Sequence, residues 1–160
     1  MGEITIIENT LIPFKHVEQV LKVMPDAIAE IYADMPYNSM RTAHLLTAIA
    51  SGNNPNGYLG VALKDDEFAG VLVGYVDNYV FSDTLFASDV FSYVRPSSRN
   101  TNAFTKLVDA FTAWAKEKGA SEVRGILLNK DNQEQLANVL GHQGFVRAGL
   151  IMVKRVNGDE

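Results

Sequence analysis

The stretch Tyr93-Val94-Arg95-Pro96-Ser97-Ser98-Arg99-Asn100-Thr101-Asn102-Ala103-Phe104 constrains this chain more than any other. An alternating apolar run ends at Pro96, which has no N–H to give to a sheet ladder. A short polar turn with an arginine follows, and a helix expected from about Thr101 to Lys118 starts at once. Phe104, Leu107, Val108, Phe111, Trp114 and Ala115 form its apolar stripe. Gly119 stands where a C-cap glycine is expected, and Ser121 to Leu128 reads as a strand. A strand–helix–strand crossover makes Phe86–Val94 and the later strand parallel neighbours. The turn then lies beyond the carboxyl end of a strand, where open α/β sheets bind ligands. Its free backbone N–H groups and one guanidinium suit the phosphates of a nucleotide-like ligand.

The remaining elements fit around this unit. Glu3–Glu8 is rich in β-branched residues and reads as a first strand. Pro13 opens a helix with Phe14, Val17, Val20, Leu21 and Met24 on one face. Pro25 is expected to interrupt it and start a second piece with Ile28, Ile31, Tyr32 and Met35 inward. Ser39 is the expected N-cap of a helix bearing Met40, Leu45, Leu46 and Ile49. A meander follows, with strands at Tyr58–Leu63, Phe68–Val76 and Phe86–Val94. After the crossover come a short helix, Asp131–Gly141, and a last strand, Val146–Val156. The order predicts one α/β domain over residues 1–160, with a central mixed sheet of six to seven strands and helices on both faces.

Charge is unevenly placed. Residues 1–90 carry 12 acidic and 4 Lys/Arg side chains, whereas residues 91–160 carry 7 acidic and 10 Lys/Arg. The basic half suits an anionic ligand and the acidic half a cationic one, although chance segregation on a solvated surface explains the split equally well. The basic residues are dispersed and the net charge is −5, so no nucleic-acid partner is expected. No cysteine is present, which excludes disulfides and thiolate chemistry. His16, His44 and His142 have no ligand spacing, so no metal site is expected. No apolar run reaches the length of a membrane span and the start is no secretory signal, so a cytoplasmic protein without a membrane partner is expected.

Val94, Pro96, Arg99, Leu107, Trp114-Ala115, Gly119-Ala120, Gly144-Phe145 and Met152-x-Lys154 occur in the order and spacing of a known pattern. Across essentially its whole length the chain resembles the GNAT N-acetyltransferase superfamily. Arg99, the Trp-Ala pair and a loop that does not end in glycine are most similar to acetyltransferase-like proteins of bacteriophages, for which the compartment would be the host cytoplasm. The resemblance implies a GNAT fold that uses acetyl-CoA. It also implies that Val94, Arg99 and the turn Asn100, Thr101, Asn102, Ala103 and Phe104 hold the pyrophosphate, and that Gln133 (or Asn132) holds the pantetheine arm. Asn102 and Phe104 stand where the family has glycines, and Leu140 where it has a proton-donating tyrosine.

Acetyl transfer needs a neutral amine, donors for the carbonyl oxygen and a proton donor for the leaving thiolate. In the family a strand N–H supplies the oxyanion contact, which falls near Phe91–Tyr93 here. Asp89 is the candidate base. Strict alternation puts it on one face with Ala87, Phe91 and Tyr93, where aromatic surroundings would raise its pKa. A plain strand-end or turn-capping role competes with this. Tyr93 is the candidate donor, with Tyr75, Tyr79 or water as alternatives, and His142 reads as a surface residue or a titrating group. The expected function is acetyl transfer to a primary amine of a small molecule or protein. Its rivals are an inactive GNAT-fold protein acting through protein contacts and a cofactor-binding sensor. Tyr75, Tyr79, Phe81, Phe86, Phe91 and Tyr93 make an aromatic-rich meander, read as sheet packing against helices or, where exposed, as a substrate wall or the face of a homodimer.

Overall fold

A computed structural model describes residues 2–32, 34–128 and 131–156. Its elements are β1 (Ile4–Glu8), α1 (Phe14–Ile31), α2 (Ser39–Ala50), β2 (Gly57–Lys64), β3 (Glu67–Asn78), β4 (Leu85–Val94), α3 (Ala103–Glu117), β5 (Ala120–Arg124) and α4 (Gln133–His142), with short 3-10 turns at Asn9–Leu11 and Pro96–Ser98. The sheet order is β1-β2-β3-β4-β5. The first four strands pair antiparallel, and β4 pairs β5 in parallel, as the crossover requires.

β2 is buried from Gly57 to Leu63, so it reads as a continuous apolar run rather than an alternating one. Leu59, Val61 and Leu63 join Val17, Val20, Met24, Leu46 and Ile49 in the core under α1 and α2. Tyr58 and Ala62 face the opposite core, with Leu107, Phe111 and Trp114 of α3. Close approach of α3 depends on Gly74, where an added Cβ would stand 2.6 Å from the Phe111 ring. Gly119 ends α3 at φ +88°, a conformation that costs glycine nothing.

Several expectations are corrected. Among the described residues the sheet has five strands rather than six to seven. Residues 145–156 form no strand, and Val146, Leu150, Met152 and Val153 are at least 80 % exposed. A strand persists only where a neighbour completes its hydrogen bonds, and here Arg147 and Arg155 are instead drawn to Glu134 and Asp34. Pro25 does not divide α1. Burial of Val17, Val20, Met24 and Ala27 along one stripe outweighs the hydrogen bond that Pro25 cannot make. Asn38, not Ser39, caps α2, its side chain accepting from Arg41 N–H at 3.0 Å. Phe14, Met35, Met40 and Leu45 are exposed rather than inward. Among the described residues no helix is long and apolar enough to cross a membrane.

Candidate active site

The β4–β5 ladder runs from Leu85↔Ala120 only to Ser88↔Arg124. Beyond that pair the strands part, leaving the β4 edge from Asp89 to Val94 without a partner strand among the described residues. A bulge falls at the same place. Val73 pairs with Phe91 but its neighbour Gly74 with Asp89, so Val90 is the extra residue and is 45 % exposed.

The bulge breaks the alternation expected of β4. Ala87 faces the α3 core, while Phe91 and Tyr93 face α1 and α2. Asp89 lines a cavity of about 10 Å³ with Phe104, Phe111, Leu127 and Leu140, on the α3 side. It therefore shares a face with Ala87 but not with Phe91 or Tyr93, correcting the strict period-2 reading. Its Oδ1 accepts the N–H of Ile126 at 2.9 Å, a bond that crosses the gap between the parted strands. Burial pushes the Asp89 carboxyl up to about 6, and the Ile126 N–H opposes the rise.

The turn before α3 is held from within. Arg95 N–H bonds to Ala69 carbonyl at 2.8 Å, and Thr101 Oγ1 donates to Ser98 carbonyl at 2.6 Å while accepting from Ala103 N–H at 3.2 Å. The first helical bond runs from Lys106 N–H to Asn102 carbonyl, which leaves Phe104 and Thr105 N–H without a backbone acceptor. Asn102 has φ −89°, so the backbone here does not need glycine's freedom. The Phe104 ring packs on the α3 core rather than across the turn.

Arg99 is engaged on three sides. Its Nε donates to Val94 carbonyl at 2.9 Å, its Nη2 donates to Glu30 at 2.7 Å, and its guanidinium lies 5.6 Å from the Tyr93 ring centre. Burial and the nearby Glu30 carboxylate raise the Tyr93 pKa, so its hydroxyl keeps its proton. Gln133, the first residue of α4, donates to Leu127 carbonyl at 2.7 Å and so ties the loop after β5 to that helix. His142 bonds Asn138 carbonyl on exposed α4, and His16 is buried against Gln19. Among the described residues no cluster could hold a metal.

Thus Val94, Arg99, Tyr93 and the turn converge at one end of β4, Asp89 stands on the strand's other face, and Gln133 lies across the gap. Glu30 and Ile126 were not foreseen. Glu30 is 69 residues from Arg99 in sequence, and Ile126 contributes a backbone group that any residue type carries.

A family model described as the acetyltransferase (GNAT) family matches residues 25–145. The chain belongs to that family. GNAT enzymes transfer the acetyl group of acetyl-CoA, which makes this protein an N-acetyltransferase by family. The fold agrees with solved GNAT structures. An aminoglycoside acetyltransferase from an uncultured soil metagenomic sample, in complex with sisomicin, is 18 % identical with TM-score 0.71, over 97 % of each chain. The aminoglycoside N-acetyltransferase AAC(6')-Iy in complex with CoA is 15 % identical with TM-score 0.69, over 99 % of this chain and 97 % of that one. A ribosomal-protein-alanine N-acetyltransferase from Brucella melitensis biovar Abortus 2308 is 13 % identical with TM-score 0.72, over 98 % and 100 %. No curated protein sequence matches the chain. Nothing in these matches favours the narrower bacteriophage resemblance or the inactive reading.

Proposed function

We propose that this GNAT protein acetylates a primary amine on a cationic small molecule or protein, with the gap between β4 and β5 as the place of transfer. The carrying observation is the end of the β4–β5 ladder at Ser88, beside a helix start where the Phe104 and Thr105 N–H groups have no backbone acceptor. Those features fit acetyl-CoA. Unpaired N–H groups at Phe104 and Thr105, on the positive end of α3, suit a pyrophosphate. Asn100, Thr101, Asn102 and Ala103 complete the turn, and Arg99 retains N–H groups beyond those given to Val94 and Glu30. Gln133 is the proposed holder of the arm, and would give up its bond to Leu127 carbonyl to do so. Acetyl-CoA supplies an activated thioester carbonyl. The chain would supply backbone N–H groups of the β4 edge near Phe91–Tyr93, which has no partner strand among the described residues, to stabilise negative charge on the carbonyl oxygen.

Asp89 is the proposed base, working through water. A carboxyl at about 6 is ionised at neutral pH yet basic enough to hold an amine proton briefly. Tyr93 keeps its proton and is the proposed donor on the α1 side of the strand. The acidic first half of the chain, with Asp26 and Glu30 near Tyr93, favours a cationic acceptor over an anionic one. One solved structure of this fold is an aminoglycoside acetyltransferase in complex with sisomicin, which supports an amine acceptor.

Titration of acetyl-CoA into wild type, Arg99→Ala and Glu30→Gln tests the reading, followed by transfer to a panel of amines. Micromolar binding is expected, weakened about tenfold, or ~1.4 kcal/mol, by Arg99→Ala. Glu30→Gln breaks the same ion pair without removing the guanidinium, so it should bind at least as well as wild type. A folded wild type that neither binds acetyl-CoA nor acetylates any amine would refute the proposal.

A further inference from the structure

Asp89 does something in the closed wedge that no acid–base role requires. Past Ser88 and Arg124 the ladder between β4 and β5 has stopped, yet Asp89 Oδ1 still reaches across to Ile126 N–H, two residues beyond the end of β5. Asp89 keeps the α3 side that Ala87 faces, and the bulge at Val90 sends Phe91 and Tyr93 to the other side. The cavity it lines measures about 10 Å³, roughly the room of one water and far too small for the arm of any cofactor. The gap must widen before an arm can enter, and the Asp89–Ile126 bond spans the place where it widens.

We propose that Asp89 is a positioning residue that sets the spacing of the wedge, holding the chain after β5 against β4 until the arm enters and the carboxylate exchanges Ile126 N–H for water. The inference rests on the reading that this gap receives acetyl-CoA. Proton linkage follows from the surroundings. Phe104, Val108 and Phe111 of α3, Leu140 of α4 and Leu72 of β3 present no titratable group to the cavity. Among the described residues Arg124 of β5 is the only charged side chain besides Asp89 that lines it, and its guanidinium lies over the Phe86 and Tyr79 rings and pairs with Glu122. Burial is thus the dominant influence on the carboxyl, and it raises the pKa to about 6. A widened wedge admits water and relieves that influence. The closed form therefore holds the proton more tightly than the open form, and raising the pH through about 6 favours opening.

Two readouts test this in wild type, Asp89→Asn and Asp89→Ala. Asparagine can accept from Ile126 but cannot titrate, and alanine can do neither. The first readout is the hydrogen-exchange protection of the Ile126 amide, corrected for the intrinsic pH dependence of exchange and measured without cofactor. Protection should fall roughly tenfold in wild type across the titration, stay level in Asp89→Asn and be lost in Asp89→Ala. The second is the association rate of CoA by stopped flow. The ratio of wild type to Asp89→Asn should rise roughly tenfold from about pH 5 to about pH 7.5, the titration of CoA itself cancelling in the ratio. A ratio that does not change with pH, or an Ile126 amide indifferent to all three side chains, would overturn the latch while leaving the transferase reading intact. Failure of all three folded proteins to bind CoA would overturn the transferase reading and arm entry with it. The Ile126 exchange would still report whether Asp89 holds the wedge.

Discussion

Asp89 also makes the global stability of the protein pH-dependent, with a sign opposite to that of most carboxylates. Its carboxyl titrates at about 6 in the folded chain and near 3.8 when unfolded. The folded state therefore holds this proton more tightly than the unfolded state does. The stability associated with the protonated group is fully present below the unfolded value and is lost as the pH rises through the folded one. The shift of about two units corresponds to about 3 kcal/mol, lost between about pH 4 and about pH 7. That is a large share of the total stability of a domain this size. Urea unfolding of wild type and Asp89→Asn over this range isolates the effect, because every other titration cancels in the difference. Wild type should lose about 3 kcal/mol relative to the variant as the pH rises, with the change centred between the two pKa values. A difference independent of pH would mean that the carboxylate is fully solvated, and would refute burial as the cause of its raised pKa.

Two further substitutions test the packing that builds the site. Gly74→Ala puts a methyl group 2.6 Å from the Phe111 ring and 2.8 Å from Ser88 carbonyl, forcing α3 off the sheet. Urea titration should show a loss of about 1–3 kcal/mol, partly restored by adding Phe111→Leu. Pro25→Ala restores an N–H donor within α1 at an exposed position, and it should raise stability by about 1–2 kcal/mol, seen as a higher thermal midpoint. An unchanged or lowered midpoint would show that the helix is already kinked to suit the proline.

The elements with strong local signals were legible from residues alone. The α3 stripe from Leu107 to Ala115, the glycine that ends the helix, and the parallel crossover all follow from periodicity and turn chemistry acting within one stretch of chain. The position of the turn between β4 and α3 was legible for the same reason. Its missing glycines proved compatible with the backbone, since Asn102 adopts an ordinary φ and Phe104 turns into the core. Continuity of α1 through Pro25 was not legible, because the propensity of one residue was outweighed by burial against strands far away in sequence. The final strand failed in the opposite direction. Val146–Val156 is apolar enough to pair, but pairing depends on a neighbouring edge that no local pattern reveals.

The sequence by itself determined the meander, the α3 stripe, the parallel crossover and the family. Each is written in residue spacing, and spacing acts over a few turns of chain. Only the tertiary structure decided which way Asp89 points, what Arg99 holds and how far β4 and β5 stay together. One extra residue at Val90 reverses the side chains on either side of it, and it becomes a bulge only when β3 is paired alongside. Glu30 meets Arg99 only once α1 has packed on the sheet, and Ile126 meets Asp89 only where a parallel ladder has run out. Interactions between distant parts of a chain depend on the whole fold's geometry, which is why the chemistry of this site could be placed from sequence but not oriented.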